Sequence, residues 1–306
     1  MKEKMRFEEF KKVVVEEIKE WLPERFKTAH VSLQMVTKNN NLKLTGLTIR
    51  SLDSDVCPTI YLEKFYEEYE SGTDMKEILK RIAQLQLNND GTGKFDLDSL
   101  YDFEKIKGKI VPRIVNAEMN ADLLEDRPHT IVADLAVTYH VLIDESEDGT
   151  ASTVVTNEFM KSWKITVEEL HRTSVMNLPL ILPSTFNGMN EIMSEMMGMS
   201  EEEMNQMGMP TEEEQMYVLT NKQKVYGAAS ILDEKRMEEI VERFGKFYIL
   251  PSSVHEVLIV PVKEGMDVET LESIVKEVNS TQVEIEERLS DHVYIYTLEN
   301  GLCIAD

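Results

Sequence analysis

The apolar residues of this chain repeat with two different periods, and the period changes several times along the sequence. In residues 7–21 they lie three or four positions apart, which predicts an amphipathic helix that ends before Pro23. In residues 29–37 and 42–50 they alternate in places, as in half-buried strands. Such changes of period, without a repeat of fixed length, favour an α+β fold of mixed, mostly antiparallel sheets with flanking helices.

Three asparagines at positions 39–41 separate the two alternating runs. Asparagine tolerates a left-handed backbone, so they predict a hairpin turn. Gly46, inside the second run, indicates a bulge or a close approach of another chain segment. A short strand at 58–62 and helices at 63–69 and 74–87 belong to a predicted N-terminal α+β lobe that ends at residue 107.

The central part, residues 108–185, is predicted to be rich in strands. Pro112 interrupts an apolar strand at 109–115, and because proline cannot donate to a strand ladder, it indicates a sheet edge or a bulge. The runs at 130–143 and 151–156 are predicted to pair through a turn at Asp148 and Gly149. Helices are then expected at 157–163 and from Thr166, which has capping-box spacing to Glu169.

The chain has no basic residue between Arg172 and Lys222, and eight glutamates lie between Glu191 and Glu214. The same segment is rich in methionine and is interrupted by glycines and a proline. We predict a flexible, acidic, Met-rich insertion at residues 186–215.

The C-terminal part, residues 216–306, has a predicted ββαββαββ order and is expected to pack with the central part. Its first two strands, at 216–220 and 224–229, are predicted to form a hairpin. The whole chain is therefore expected to have two lobes and one mobile insertion.

The chain has 306 residues, with 33 Lys+Arg and 57 Asp+Glu, and therefore a formal net charge of −24. This charge argues against direct binding of nucleic acid or of an anionic membrane surface, since both are bound by basic residues. Cys57 and Cys303 lie too far apart in sequence for a disulfide framework and fit a reducing compartment. With no leader and no apolar run long enough to span a membrane, we expect a cytoplasmic protein.

The sequence LPSSVHE, which ends at Glu256, is the densest polar cluster. Ser252 or Ser253 as nucleophile, with His255 as base and a distant carboxylate such as Asp291, is the set that a hydrolase needs. An extended chain separates Ser253 from His255 by about 6.6 Å, too far for a hydrogen bond. The alternative is a one-turn cap closed by Ser253 and Glu256, with His255 bonded to backbone. We assign no catalytic residue and keep these four residues of LPSSVHE as candidates.

The methionines of the insertion admit three interpretations. Methionine forms adaptable apolar surfaces, so five residues are candidates for binding a partner protein: Met193, Met196, Met197, Met204 and Met207. Thioethers also bind cuprous copper, but glycines interrupt any stable site, and the third interpretation is a tolerated acidic loop.

No cofactor and no metal are expected elsewhere. The loop at 88–94 (NNDGTGK) departs from a phosphate-binding loop at its first glycine and after its lysine. Neither this loop nor the one around Asp148 has the glutamate that ends a calcium loop. The six histidines lack the spacing of a zinc site.

Several motifs resemble those of an uncharacterised bacterial family, known only as a domain of unknown function: TGLTIR at 45–50, PTIYL at 58–62, MYVLTN at 216–221, YGAA at 226–229, LPSSVHE at 250–256 and LSDHVYIY at 289–296. The resemblance covers nearly the whole chain and implies a bacterial cytoplasmic setting. A more distant similarity to a second uncharacterised bacterial family lies in residues 110–113 and 135–144. Neither resemblance implies an activity, a cofactor or a catalytic residue.

These observations favour a non-enzymatic interaction or regulatory module that binds another protein through its acidic surface or Met-rich segment. One alternative is the hydrolase described above. Another is an acidic mimic of DNA, in which carboxylates follow one surface as phosphates do. The oligomeric state is not predicted.

Overall fold

The structure, a computed structural model, describes residues 4–51, 57–89, 97–146, 149–198 and 215–305. Its α-helices are α1 Phe7–Glu17, α2 Glu63–Ser71, α3 Met75–Asn88, α4 Phe103–Ile106, α5 Ala121–Leu124, α6 Asn157–Trp163, α7 Val167–Ile181, α8 Met189–Met197, α9 Glu234–Phe244 and α10 Val268–Thr281. Short 3-10 helices lie at Ile18–Trp21, Glu24–Phe26, Asn39–Asn41, Leu97–Tyr101, Lys107–Lys109, Gly227–Leu232 and Ile285–Glu287.

The strands are β1 His30–Thr37, β2 Lys43–Arg50, β3 Thr59–Tyr61, β4 Ile110–Asn116, β5 His129–Val132, β6 Leu135–Ser146, β7 Gly149–Val154, β8 Ser184–Gly188, β9 Tyr217–Asn221, β10 Phe247–Leu250, β11 Val257–Pro261, β12 Tyr294–Thr297 and β13 Gly301–Ile304. They form three open sheets with antiparallel pairing. The fold is α+β, which confirms the predicted class. Within the described ranges, no helix is both long and apolar enough to cross a membrane.

The chain divides into two compact units, and the first comprises Met1–Lys38 and Leu42–Leu97. Its sheet has the order β1-β2-β3. The helical period predicted at the N-terminus buries Phe10, Val14 and Ile18 in one apolar cluster with side chains from β2 and α3. The cluster explains why α1 forms here: its apolar stripe is covered by the sheet and by a second amphipathic helix.

The predicted hairpin is confirmed by the pairing of β1 with β2, in which Gln34 lies opposite Gly46. Asn40 and Asn41 adopt the left-handed conformation, with φ of 58° and 60°. Gly46 is a point of close approach, because a Cβ there would lie 2.5 Å from Cγ2 of Thr59 on β3.

The second unit comprises Asn39–Asn41 and Asp98–Asp306 and contains two sheets. One has the order β4-β6-β5, with β7 also paired to β6. Strand β4 is an outer strand, as Pro112 predicts. Thr166 is the N-cap of α7, and its hydroxyl accepts the Glu169 N–H at 3.2 Å, so this half of the predicted capping box is confirmed.

The other sheet of the second unit has the order β13-β12-β10-β11-β9-β8. The predicted hairpin of 216–220 with 224–229 is wrong in its second strand. Strand β9 pairs instead with β8, and residues 224–229 turn into the 3-10 helix Gly227–Leu232. A short apolar run does not distinguish a strand from a tight helical turn, and here Tyr226 takes a left-handed φ of 53° that no strand permits.

Strand β8 crosses the predicted boundary between the central part and the acidic insertion at residue 186, and α8 follows it. The first compact unit ends at Leu97, before the predicted lobe boundary at residue 107. The part of the insertion at residues 199–214 lies outside the described residues.

Candidate functional site

Helix α8 follows β8 directly and carries three of the five methionines predicted to bind a partner. It begins after Gly188 and ends at Gly198, which has a φ of 64°. Its apolar side chains are spaced i, i+3, i+4, i+7 and i+8 and therefore share one helix face. We call this face the Met stripe: Met189, Ile192, Met193, Met196 and Met197.

The Met stripe is open to solvent at its C-terminal end. No residue of α8 is buried; Met196 is 83% exposed and Met197 is 54% exposed, while Met189, Ile192 and Met193 are partly exposed. An amphipathic helix normally covers its apolar stripe with the core of its own domain. Met204 and Met207, the other two candidates, lie outside the described residues.

The LPSSVHE stretch forms a turn that is closed mainly by its own backbone. The Ser253 N–H donates to the carbonyl oxygen of Glu256 at 3.1 Å, and Oγ of Ser253 accepts the His255 N–H at 3.0 Å. The Ser252 N–H donates to the carbonyl oxygen of Leu250 at 3.0 Å. The Ser253 hydroxyl therefore contacts the main chain of His255 rather than its ring.

The His255 ring is held from both sides. Its Nδ1 accepts the N–H of Tyr226 at 3.1 Å, which leaves the proton of the neutral ring on Nε2, 3.6 Å from Oε1 of Glu287. A general base needs a lone pair directed at the hydroxyl that it deprotonates, and this one is used by a main-chain N–H. Asp291 instead accepts a hydrogen bond from Asn279 at 2.7 Å. The structure does not bring a serine hydroxyl, a basic imidazole nitrogen and a carboxylate together here.

Tight packing fixes the segment opposite His255. A Cβ on Gly227 would lie 2.6 Å from the His255 carbonyl oxygen, 2.7 Å from the Asn221 nitrogen and closer still to Oγ1 of Thr220. Oγ1 of Thr220 donates to the same His255 carbonyl at 2.7 Å. The YGAA, MYVLTN and LPSSVHE motifs thus meet at one point of the second unit.

Three side chains form a column beside this point. The Tyr226 and His255 ring centroids are 5.4 Å apart, and the Arg113 guanidinium carbon lies 3.7 Å from the centroid of the Tyr226 ring. This distance is well within the range of a cation–π contact. We call Arg113, Tyr226 and His255 the aromatic–arginine column.

The strand register places polar groups around Arg113. Arg113 on β4 lies opposite Thr138 on β6, so both side chains face the same way, as does His140 two residues further along. Arg113 Nη2 donates to Oγ of Ser152 on β7 at 2.7 Å. Burial lowers the pKa of Arg113 to about 10. Burial and the positive charges of Arg113 and Arg127 lower the pKa of His140, which keeps its imidazole neutral.

A second polar centre surrounds Asp134 in the turn between β5 and β6. Its Oδ2 accepts hydrogen bonds from Ser290 Oγ at 3.0 Å and His292 Nδ1 at 2.9 Å, and its Oδ1 accepts one from the Tyr294 hydroxyl at 2.6 Å. Burial raises the pKa of Asp134, but these three hydrogen bonds outweigh it and the net pKa is lowered. Burial and the nearby carboxylate raise the pKa of Tyr294. The motif LSDHVYIY supplies all three donors.

Metal ligands do not converge in the described part of the chain: no three His, Cys, Asp or Glu side chains there are close enough to hold one ion. Cys303, on β13, is a free thiol. Residues 90–96 and 147–148, which contain most of the loop NNDGTGK and also Asp148, lie outside the described residues.

Comparison with known protein families places this chain in one of them. A model of a family of unknown function, DUF5688, matches residues 7–297. The chain belongs to DUF5688. Neither a curated protein nor a solved structure gives a match. Membership of DUF5688 implies no activity, because the function of that family is unknown.

Sequence reasoning did not find Arg113 or Asp134. Arg113 had one usable signal, a single cation inside the apolar strand that contains Pro112. Asp134 had none, because it is one of 57 acidic residues and its three donors lie about 160 positions away.

Proposed function

We propose that this protein is a non-enzymatic interaction module and that it binds another protein through the Met stripe of α8. One observation carries the proposal: α8 has a complete amphipathic pattern, yet none of its residues is buried, and Met196 and Met197 at its end are exposed. A solvent-facing apolar helix face is the element that helix-in-groove recognition uses. Methionine suits this role because its flexible, polarisable side chain adapts to the shape of a groove.

The acidic character of this segment argues for the charge of the partner. Glu191 and Glu195 are exposed on the face of α8 opposite the Met stripe, and the chain has no basic residue from 173 to 221. We therefore propose a partner protein whose apolar groove is rimmed by lysine or arginine. Opposite charges speed the encounter and reject acidic surfaces, while the buried thioethers provide affinity.

The proposal places this module in the bacterial cytoplasm. The free thiol of Cys303 supports that setting, because disulfides are rare in a reducing compartment. The family resemblance described above supports a bacterial origin.

The test begins with a photo-crosslinking amino acid at position 196 of the full chain, in extracts of the cells that make it. A crosslinked protein is identified, purified and titrated calorimetrically with three forms of the chain: wild type, Met193→Glu with Met196→Glu, and Met35→Glu. Met35 is the matched control, because it is 65% exposed on β1. We expect the double variant to bind at least about tenfold more weakly, since each buried methionine contributes about 1.5–3 kcal/mol.

The control variant is expected to bind as the wild type does. The dissociation constant of the wild type should rise between about 0.05 M and about 0.5 M NaCl, because salt screens the charged rim. Identical crosslinks from positions 196 and 35, or equal affinities of the two variants, would refute the proposal. A partner surface without a basic rim would refute the proposed charge complementarity.

A further inference from the structure

Arg113 is a cation that the described residues leave without an acidic partner. Its contacts are one hydrogen bond to Ser152 and the face of Tyr226, and no described carboxylate forms an ion pair with it. The chain has 57 acidic and 33 basic residues, and other arginines pair readily, as Arg81 does with Glu68 and Arg236 with Glu239. A largely buried guanidinium without a counter-charge is costly to maintain.

The surroundings of Arg113 hold it rigidly. Its guanidinium carbon lies over the Tyr226 ring. Tyr226 is in turn fixed by its N–H bond to Nδ1 of His255 and by the tight packing at Gly227. The Nη2 group of Arg113 already donates a hydrogen bond to the Ser152 hydroxyl. A guanidinium presents five N–H donors in a planar fork, so donors remain on its other edge in a fixed orientation.

The side chains beside Arg113 are partly exposed and carry no negative charge. Arg113, His140, Ser152 and Tyr226 are all partly exposed. His140 lies on the same strand face, with its Nε2 3.5 Å from Oγ1 of Thr138. A neutral imidazole and a serine hydroxyl can each donate to an oxygen atom.

The geometry points to a binding site for a small soluble oxyanion, a carboxylate or a phosphate group, held by the free edge of Arg113 with His140 and Ser152 beside it. Both groups present paired oxygens to a guanidinium fork, and the hydrogen bonds formed are charge-assisted and directional. The site is distinct from the Met stripe and does not depend on it.

The experiment uses the full chain labelled with ¹⁵N and follows the Nε–Hε signals of its arginines. Sodium phosphate and sodium acetate are titrated separately, with ionic strength held constant by NaCl. We expect the Arg113 signal to shift saturably with at least one anion at concentrations up to roughly 50 mM, the range of weak specific binding. Arg172, which is exposed, is the control and should not shift saturably.

The Arg113 signal is the one that Arg113→Lys removes. If that variant does not fold, the signal is identified by the ring-current shift that Tyr226→Leu abolishes. Arg113→Gln should weaken binding at least about tenfold, whereas Arg172→Gln should leave it unchanged. Saturation by phosphate alone, acetate alone or both assigns the ligand chemistry. No shift, or equal linear shifts of Arg113 and Arg172, would overturn the inference.

Discussion

Asp134 joins two distant parts of the second unit through one carboxylate. Because three donors depend on it, replacement with asparagine leaves at least one donor facing an amide NH₂. We expect Asp134→Asn to lower the free energy of unfolding by about 2 kcal/mol at pH 7, measured by urea denaturation. Asp122→Asn, at an exposed aspartate of the same unit, should change it by less than about 0.5 kcal/mol.

The same substitution should alter the acid dependence of stability. The pKa of Asp134 is lowered in the folded state, so its contribution is present above the unfolded pKa of about 4 and is lost as pH falls through the lowered value. The difference between wild type and Asp134→Asn should therefore shrink below about pH 4. A constant difference from pH 7 to acid would show that the carboxylate charge is not involved.

Gly227 is required where three motifs meet. A Cβ at this position would overlap the His255 carbonyl oxygen, the Asn221 nitrogen and the Thr220 hydroxyl, two of which are main-chain atoms that cannot rotate away. We expect Gly227→Ala to cost about 3 kcal/mol of unfolding free energy. Gly108→Ala is the control, since no atom lies within 4 Å of its added Cβ, and it should be neutral or slightly stabilising.

The conformations that could be predicted from the sequence were those determined by a residue and its immediate neighbours. The asparagines at 39–41 and Gly46 were understood from backbone preferences that act within a few positions. The aromatic–arginine column joins positions 113, 226 and 255, and its formation depends on the register of β4 with β6 and on one left-handed residue. No local pattern encodes such a contact.

At the level of elements, the cap of α7 gives a direct test of a local rule. Thr166→Ala removes the oxygen that accepts the Glu169 N–H, and we expect a loss of about 1 kcal/mol. Thr166→Ser keeps that oxygen and should change stability by less than about 0.5 kcal/mol. Equal losses in the two variants would assign the effect to the methyl group of threonine rather than to the cap.

Elements with a long helical period or a partly alternating pattern were predicted well, as α1, α3 and the hairpin of β1 and β2 show. Strand β8 was missed because its five residues contain a single apolar side chain, Phe186, and therefore have no distinct period. The prediction therefore paired β9 with residues 224–229 instead of with β8. Strand pairing is decided by which partner the whole sheet supplies, and that information is not local.

At the level of the whole molecule, the net charge of −24 sets a salt response. Ion pairs such as Lys11 with Glu8 and Lys27 with Glu24 join neighbours on one helical turn and contribute little to stability. Added salt should therefore act mainly by screening the repulsion between the excess carboxylates. We expect the free energy of unfolding to rise by about 1 kcal/mol between about 0.02 M and about 0.2 M NaCl. Potassium chloride should act equally, and a fall in stability would contradict this account.

The exposure of α8 leaves Met196 and Met197 accessible to peroxide. Oxidation to the sulfoxide would convert apolar side chains into polar ones, and reductases can reverse that change. Because α8 contains no buried residue, the oxidised chain would keep its core while losing the apolar face through which we propose it binds. Oxidative stress would then disconnect the protein from its partner without unfolding it.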